Sequence, residues 1–195
     1  MKKSILIALL LTLTFAIGCK KNKKESTDPE ITITEEIATE IDQQEVKKIK
    51  IKLEPKSDSK VSGSAVFTEK DGKVTMIAVF EGLTEGTHAI HLHEKADCSS
   101  ADGTSSGGHW NPTNQPHGKW GDAKGYHKGD IGNIEADANG NATITFSTDE
   151  WCIGCDDANK DILNKAVIVH DGADDFMTQP TGDAGGRVSC GGIIK

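Results

Sequence analysis

Apolar and polar residues alternate over a series of short segments, the period-2 pattern of strands that bury one face and wet the other. Val46 to Leu53 alternates apolar residues with lysine, Val61 to Phe67 alternates again, and Val74 to Phe80 follows across Asp71-Gly72, a dipeptide suited to a tight hairpin turn. These three segments read as an antiparallel meander. Thr87 to His93 predicts a fourth strand, Asn133 to Ala136 and Ala142 to Phe146 flank Asn139-Gly140, Ala166 to His170 is a short apolar run, and Val188 to Ile194 closes the chain. An all-β domain of about eight strands results.

Two stretches break the pattern. From Glu94 to Gly132 the chain is rich in Gly, Pro, Asn, Asp and Ser with almost no periodicity, and so long a featureless loop is unusual in a compact domain unless something other than apolar burial orders it. The other break is the start of the chain. Lys2 and Lys3 precede a mostly apolar run from Ile5 to Ile17, too short to span a bilayer comfortably, so residues 1–18 read as an export signal. The run ends in Ala16-Ile17-Gly18-Cys19, which resembles the lipobox of bacterial lipoproteins, in which the cysteine is acylated and becomes the new N-terminus. On that reading residues 19–45, opening with a lysine cluster and continuing through Ser, Thr, Asp and Glu, are a tether, and residues 46–195 are the folded domain. The alternative is ordinary signal cleavage with Cys19 discarded or free. The expected location is the bacterial cell envelope, lipid-anchored and facing the periplasm, with the membrane met through the N-terminal lipid.

Composition agrees with a loop-rich β fold, since 21 of 195 residues are Gly and only 5% are aromatic. The net charge of −8 argues against general nucleic-acid binding, because a surface that tracks phosphates needs a basic excess. Setting Cys19 aside, four cysteines remain in a chain expected to meet an oxidising compartment, so disulfides are plausible. Cys152-Ile-Gly-Cys155 reads as a small disulfide loop in preference to a redox or metal motif, because no βαβ pattern surrounds it.

All seven histidines lie between residues 88 and 170, most of them in or beside the featureless loop. Such clustering points to metal. His91 and His93 are two apart on a strand and share a face, whereas His88 has the opposite parity and is expected to be structural. His109, His117, His127 and Asp130 sit among turn formers, and three imidazoles with one carboxylate suit tetrahedral zinc. Ion binding would also order the loop. His170, at the end of an apolar run, adds an imidazole at the same end of the domain.

Five segments occur in an order and form that closely resemble the copper/zinc superoxide dismutase family: Gly-Thr-His-Ala-Ile-His-Leu-His-Glu, Gly-Gly-His-Trp-Asn-Pro, His-Lys-Gly-Asp-Ile-Gly-Asn, Ala-Val-Ile-Val-His-Asp-Gly-Ala-Asp-Asp and Gly-Asp-Ala-Gly-Gly-Arg-Val-Ser-Cys-Gly. The resemblance spans about residues 46 to 195. It implies an eight-stranded Greek-key β-sandwich or flattened barrel with long metal-binding loops, and dismutation of superoxide to O2 and hydrogen peroxide at a copper that changes oxidation state. It further implies that His91, His93, His109 and His170 hold copper and that His109, His117, His127 and Asp130 hold zinc, His109 bridging both. Asp174 would link ligand histidines of the two sites. Cys98 and Cys190 would form a disulfide, and Arg187 would receive the anion beside copper. A homodimer is among the assemblies the resemblance allows.

The segment between His170 and Arg187 is short and carries no lysine, so a charged guiding loop is reduced, with Lys95, Lys119 and Lys128 as helpers from the metal loop. The rival reading is a copper-binding or metal-delivery module of the same fold without turnover. Loss of a copper ligand or of Arg187 would favour it, and neither is lost.

Overall fold

The alternation resolves into eight strands: β1 (Lys47–Pro55), β2 (Ser62–Lys70), β3 (Lys73–Glu81), β4 (Gly86–His93), β5 (Gly132–Ala136), β6 (Ala142–Thr148), β7 (Ala166–His170) and β8 (Arg187–Gly192). They come from a computed structural model, which describes residues 45–195. The export signal of residues 1–18, Cys19 and the tether of residues 19–45, apart from its last residue, lie outside the described residues.

The strands join in the order β5-β4-β7-β8-β1-β2-β3-β6, every pairing antiparallel, and the two ends of that order lie side by side. Chain order departs from spatial order after β3 and after β6, which makes the barrel a Greek key. In β1 the alternation is plain: Ile49, Ile51 and Leu53 face inward and Lys48, Lys50 and Lys52 face water. The β2–β3 hairpin turns on Asp71 and Gly72, both with positive φ (54° and 71°), as a tight turn of this hand requires. β1, β2, β3 and β6 form one half, whose inward side chains Leu53, Phe67 and Met76 are almost wholly removed from water. β4 and β7 in the other half are buried on both faces, because loops cover their outer side.

Asn139-Gly140 lies in a hydrogen-bonded turn, with the Asp137 N–H donating to the Asn141 carbonyl and the Gly140 N–H to that of Asp137, but β5 pairs with β4 and β6 with β3, so the connection carries the chain across the seam of the barrel. The loop from Glu94 to Gly132 contains a short 3-10 turn at Thr104–Ser106. That loop also has apolar anchorage of its own. Trp110 is buried in the main core, and Trp120 stands edge-on to Phe146 and Trp151 at centroid distances of 4.9 and 5.9 Å. Burial therefore shares with the polar network the task of ordering the loop.

Among the described residues two disulfides are formed. Cys98–Cys190 ties the start of the long loop to β8 across a sequence separation of 92, and Cys152–Cys155 closes a four-residue loop whose Ile153, with the preceding Trp151, reaches into the core.

Candidate metal centre

Strand parity and one backbone bridge bring the histidines together. His91 and His93 project from β4, and the His109 backbone pairs with that of His93, which places the loop against the strand. β7 runs beside β4 and delivers His170 to the same end of the barrel. The turn from His127 to Asp130 and the segment around His117 close over this end, and all seven ligand-type side chains are almost fully buried. His88 lies on the opposite parity, its ring held between the carbonyls of His170 and Thr84, each 2.9 Å from a ring nitrogen.

The donor atoms form two groups that share His109: His91, His93, His109 and His170, and then His109, His117, His127 and Asp130, with the atoms of each group within 4.8 Å of one another. Six buried imidazole nitrogens have no hydrogen-bond partner: His91 Nδ1, His93 Nε2, His109 Nε2, His117 Nδ1, His127 Nδ1 and His170 Nε2. Unpaired buried polar atoms cost about 1–3 kcal/mol each. Six of them converging, all lone-pair bearers when neutral, fit a set of metal ligands. The second group adds a metrical test, since ligands about 2 Å from a tetrahedral ion lie about 3.3 Å apart. Asp130 oxygens stand 2.9 Å from His109 Nδ1, 3.1 Å from His117 Nδ1 and 3.2 Å from His127 Nδ1. The residues fit copper in the all-imidazole group and zinc in the carboxylate group.

The nitrogens that face away from the groups are fixed. Asp174 accepts from His91 Nε2 through one oxygen and from His117 Nε2 through the other, both at 2.9 Å, so a single carboxylate aligns a ring of each group. His93 Nδ1 donates to the Gly107 carbonyl at 2.9 Å and His170 Nδ1 to that of Gly185 at 3.3 Å. Asp130 Oδ2 also accepts from the backbone N–H groups of Gly118 and His127.

Burial sets the charge of these rings. It depresses His93 well below the usual imidazole range and takes His109 to about 4 and His170 to about 3, so all three are neutral lone-pair donors at neutral pH. His117 is the exception: burial pulls it down, but the Asp130 and Asp174 carboxylates on either side of the ring outweigh that and raise it to about 9. The same bonds hold both carboxyls well below the usual carboxylate range against their own burial.

Arg187 opens β8 as the cross-strand partner of His170. Its Nη1 donates to the Gly103 carbonyl at 2.8 Å and to Ser106 Oγ at 3.0 Å, and its charge helps to depress His93 and His170. Lys128 does not serve as a steering helper, because it is engaged in an ion pair with Glu150. Lys119 lies 6.0 Å from the Phe176 ring.

Sequence reasoning missed three residues that support Asp174 and His117. The Asn133 side chain brackets Asp174, accepting from its N–H at 2.8 Å and donating to its carbonyl at 2.9 Å. Gln179 treats His117 the same way, at 2.8 and 2.9 Å. Gly182 has φ +68°, and a Cβ there would collide with the Asp174 carboxylate and lie 2.6 Å from His117 Nε2. Asn133 and Gly182 stand inside two of the five quoted segments, as the last residue of His-Lys-Gly-Asp-Ile-Gly-Asn and the first of Gly-Asp-Ala-Gly-Gly-Arg-Val-Ser-Cys-Gly, but were given no role there, and Gln179 lies outside them.

The sequence model described as copper/zinc superoxide dismutase matches residues 61–193. An extracellular superoxide dismutase [Cu-Zn] of Drosophila melanogaster is 35% identical over 144 residues, spanning 70% of this chain and 77% of that protein. The crystal structure of a double mutant of a SOD-like protein from Bacillus subtilis superposes with a TM-score of 0.67 at 30% identity, covering 75% of this chain and 97% of that one. With two buried ligand groups sharing one histidine on an eight-stranded barrel, the chain belongs to the copper/zinc superoxide dismutase family, whose enzymes convert superoxide to O2 and hydrogen peroxide with copper and zinc.

Proposed function

We propose that dismutation in this chain rests on His91, His93, His109 and His170 as copper ligands, on His109, His117, His127 and Asp130 as zinc ligands, and on Arg187 as the anion receptor. The observation that carries the assignment is the set of six unpartnered, buried imidazole nitrogens, which sort into two groups meeting at His109. Copper supplies one-electron exchange with superoxide, and zinc, without redox chemistry, supplies fixed positive charge. The protein supplies the rest. Neutral His93 and His170 offer lone pairs, while Asp174 locks His91 and His117 in orientation. His109 presents Nε2 toward the first group with Nδ1 held beside Asp130, so Nε2 can take and release a proton without the ring swinging away. Arg187 stays cationic at neutral pH and draws superoxide to the mouth of the site.

The finer assignment of place is part of the same reading. Residues 1–18 direct export, Cys19 carries the lipid, residues 19–45 tether the domain of residues 46–195, and the enzyme works in the bacterial envelope. The extracellular designation of the fly relative supports an exported chain. Replacing Cys19 by Ser should move the protein from the membrane fraction to the soluble one with its specific activity kept.

Metal analysis of purified protein beside a superoxide assay tests the enzyme reading. About one copper and one zinc per chain, with activity lost on chelation and regained on reloading, is the expected result. Zinc alone after copper loading would contradict it, and both metals without turnover would return the delivery module to favour.

A further inference from the structure

The half of the barrel far from the histidines carries a charge pattern that catalysis does not use. On the outer face of β1-β2-β3-β6 the middle register sets Lys50 beside Val66, Ile77 and Thr145, with Lys48 and Lys52 on either side of Lys50. Ile77 and Val79, at the centre of this face, are 49% and 46% exposed. The three registers through Lys48, Lys50 and Lys52 contain no acid, and among the described residues none of these lysines forms an ion pair. A lysine row along an exposed aliphatic and threonine surface, on a chain of net charge −8, is a local reversal of the molecule's field.

We infer that this face seats the domain against an anionic phospholipid surface. The Debye length is about 8 Å at physiological salt, so a docked face responds to its own lysines and not to the distant acids. Aliphatic side chains between cations match the boundary between headgroups and acyl chains, where apolar burial and phosphate attraction act together. A second copy of the chain is a poorer occupant, because a two-fold contact on this face would oppose lysine to lysine. The inference rests on the anchoring reading for its setting: β1 is the first strand after residues 19–45, so a chain anchored at Cys19 cannot hold this strand farther than about 100 Å from the bilayer. Docking would turn the metal-bearing half toward solvent, where superoxide arrives.

The test uses the exported chain with Cys19→Ser, so that binding by the face is separated from binding by the lipid. Vesicles of phosphatidylcholine with phosphatidylglycerol should bind it at low salt, and vesicles of phosphatidylcholine alone should not. A headgroup-attached spin label should broaden the methyl signals of Val66, Ile77 and Val79 ahead of all others. Replacing Lys48, Lys50 and Lys52 together by Gln should weaken vesicle binding by at least about tenfold, since a lysine at an anionic surface is worth about fivefold. Dismutase activity, unchanged in that variant, checks the fold. Four results would overturn the inference: no binding to anionic vesicles, equal binding by the triple variant, broadening centred elsewhere, or binding abolished by replacing Lys20, Lys21, Lys23 and Lys24 alone. Methyl perturbation that tracks protein concentration without vesicles would assign the face to a second copy instead. Failure of Cys19 to carry lipid in cells would remove the anchoring reading and leave the vesicle result standing.

Discussion

The two halves of the barrel are made stable by different means. In β1, β2, β3 and β6 the sequence alternates and the structure follows, with an inner row packed dry and an outer row of lysine, threonine, serine and the exposed aliphatics Ile77 and Val79 in water. In β4 and β7 there is no alternation of burial, because the loops of residues 94–131 and 171–186 fold over the outer face and bring imidazoles and carboxylates with them. The first half is built on alternation, and its inner row shares one core with Ile90, Leu92, Val167 and Val169 of the second. The second is finished by ligation, by one disulfide and by a few amide brackets, so it should fail separately when any of these is removed.

The largest separate failure is expected from Asp130→Ala. Asp130 touches all three histidines of its group and two backbone N–H groups, so on the proposed assignment the variant loses a zinc ligand and a loop clamp at once. Structural zinc sites contribute on the order of 10 kcal/mol to folding, and losing part of that would exceed any single packing change. Zinc affinity should fall more than about a hundredfold, copper affinity much less. Amide exchange should quicken from Glu94 to Gly132 while β1 to β3 keep their protection. Uniform loosening of both halves would show that they do not fail separately.

A second separation is by pH. With both metals removed by chelation, His117 holds a proton at neutral pH because Asp130 and Asp174 raise it to about 9. Zinc held by His117 as proposed would have to displace that proton. The direction follows from the raised value: the proton is bound throughout the range below about 9, so zinc affinity falls as pH falls, by about tenfold per unit from this group alone. Titration calorimetry in buffers of different ionisation enthalpy should report about one proton released per zinc at pH 7. No release would remove His117 from the ligand set.

Next in size is the staple. Cys98–Cys190 spans 92 residues, which on the chain-entropy account contributes about 4–5 kcal/mol. Lys56 Nζ also donates to the Cys98 carbonyl at 2.5 Å, so the bond tethers the long loop to the end of β1. Cys98→Ser should lower the midpoint of denaturation and disturb the Gly103 and Ser106 supports of Arg187, with the β2–β3 hairpin unaffected. Loss of protection in β2 and β3 equal to that in the loop would sink the two-part description.

What was legible in the sequence divides along the same line. The alternating half could be read because its pattern is local: Ile49, Ile51 and Leu53 announce an inner face without knowledge of their partners. Residue type and spacing suggested a zinc-type group of His109, His117, His127 and Asp130, whereas the four-histidine group came from the resemblance to the family; the structure brings both sets together at one end of the barrel. Asn133, Gln179 and Gly182 were not legible, since each acts through a partner more than forty residues away, a meeting no local period encodes. The crossing at Asn139-Gly140 was hidden for the same reason, because turn chemistry fixes a turn but not which strands it joins. Trp110 and Trp120 were passed over inside a stretch read for its glycines.

The smallest effect, and the one that probes function alone, lies at Arg187. Superoxide is an anion approaching a chain of net charge −8, so some local positive field must act for it to arrive quickly. With Lys128 paired to Glu150 and no lysine between His170 and Arg187, the proposed receptor Arg187, cross-strand from His170, is expected to carry most of that field. Its supports are a carbonyl and a hydroxyl, neither of which neutralises it, although Asp102 lies close enough to favour its charged form. Arg187→Glu should leave both metals bound, because Arg187 ligates neither group, and should lower kcat/KM by at least about tenfold, a loss of about 1.4 kcal/mol in the approach and reaction of the anion. The salt response should change sign. Added salt screens attraction in the parent enzyme and slows it, but screens repulsion in the variant and speeds it. Stability should barely move, in contrast to Asp130→Ala and Cys98→Ser. If kcat/KM and its salt slope match the parent, the anion is guided by Lys95 and Lys119, and Arg187 is only a strut between β8 and the Thr104–Ser106 turn.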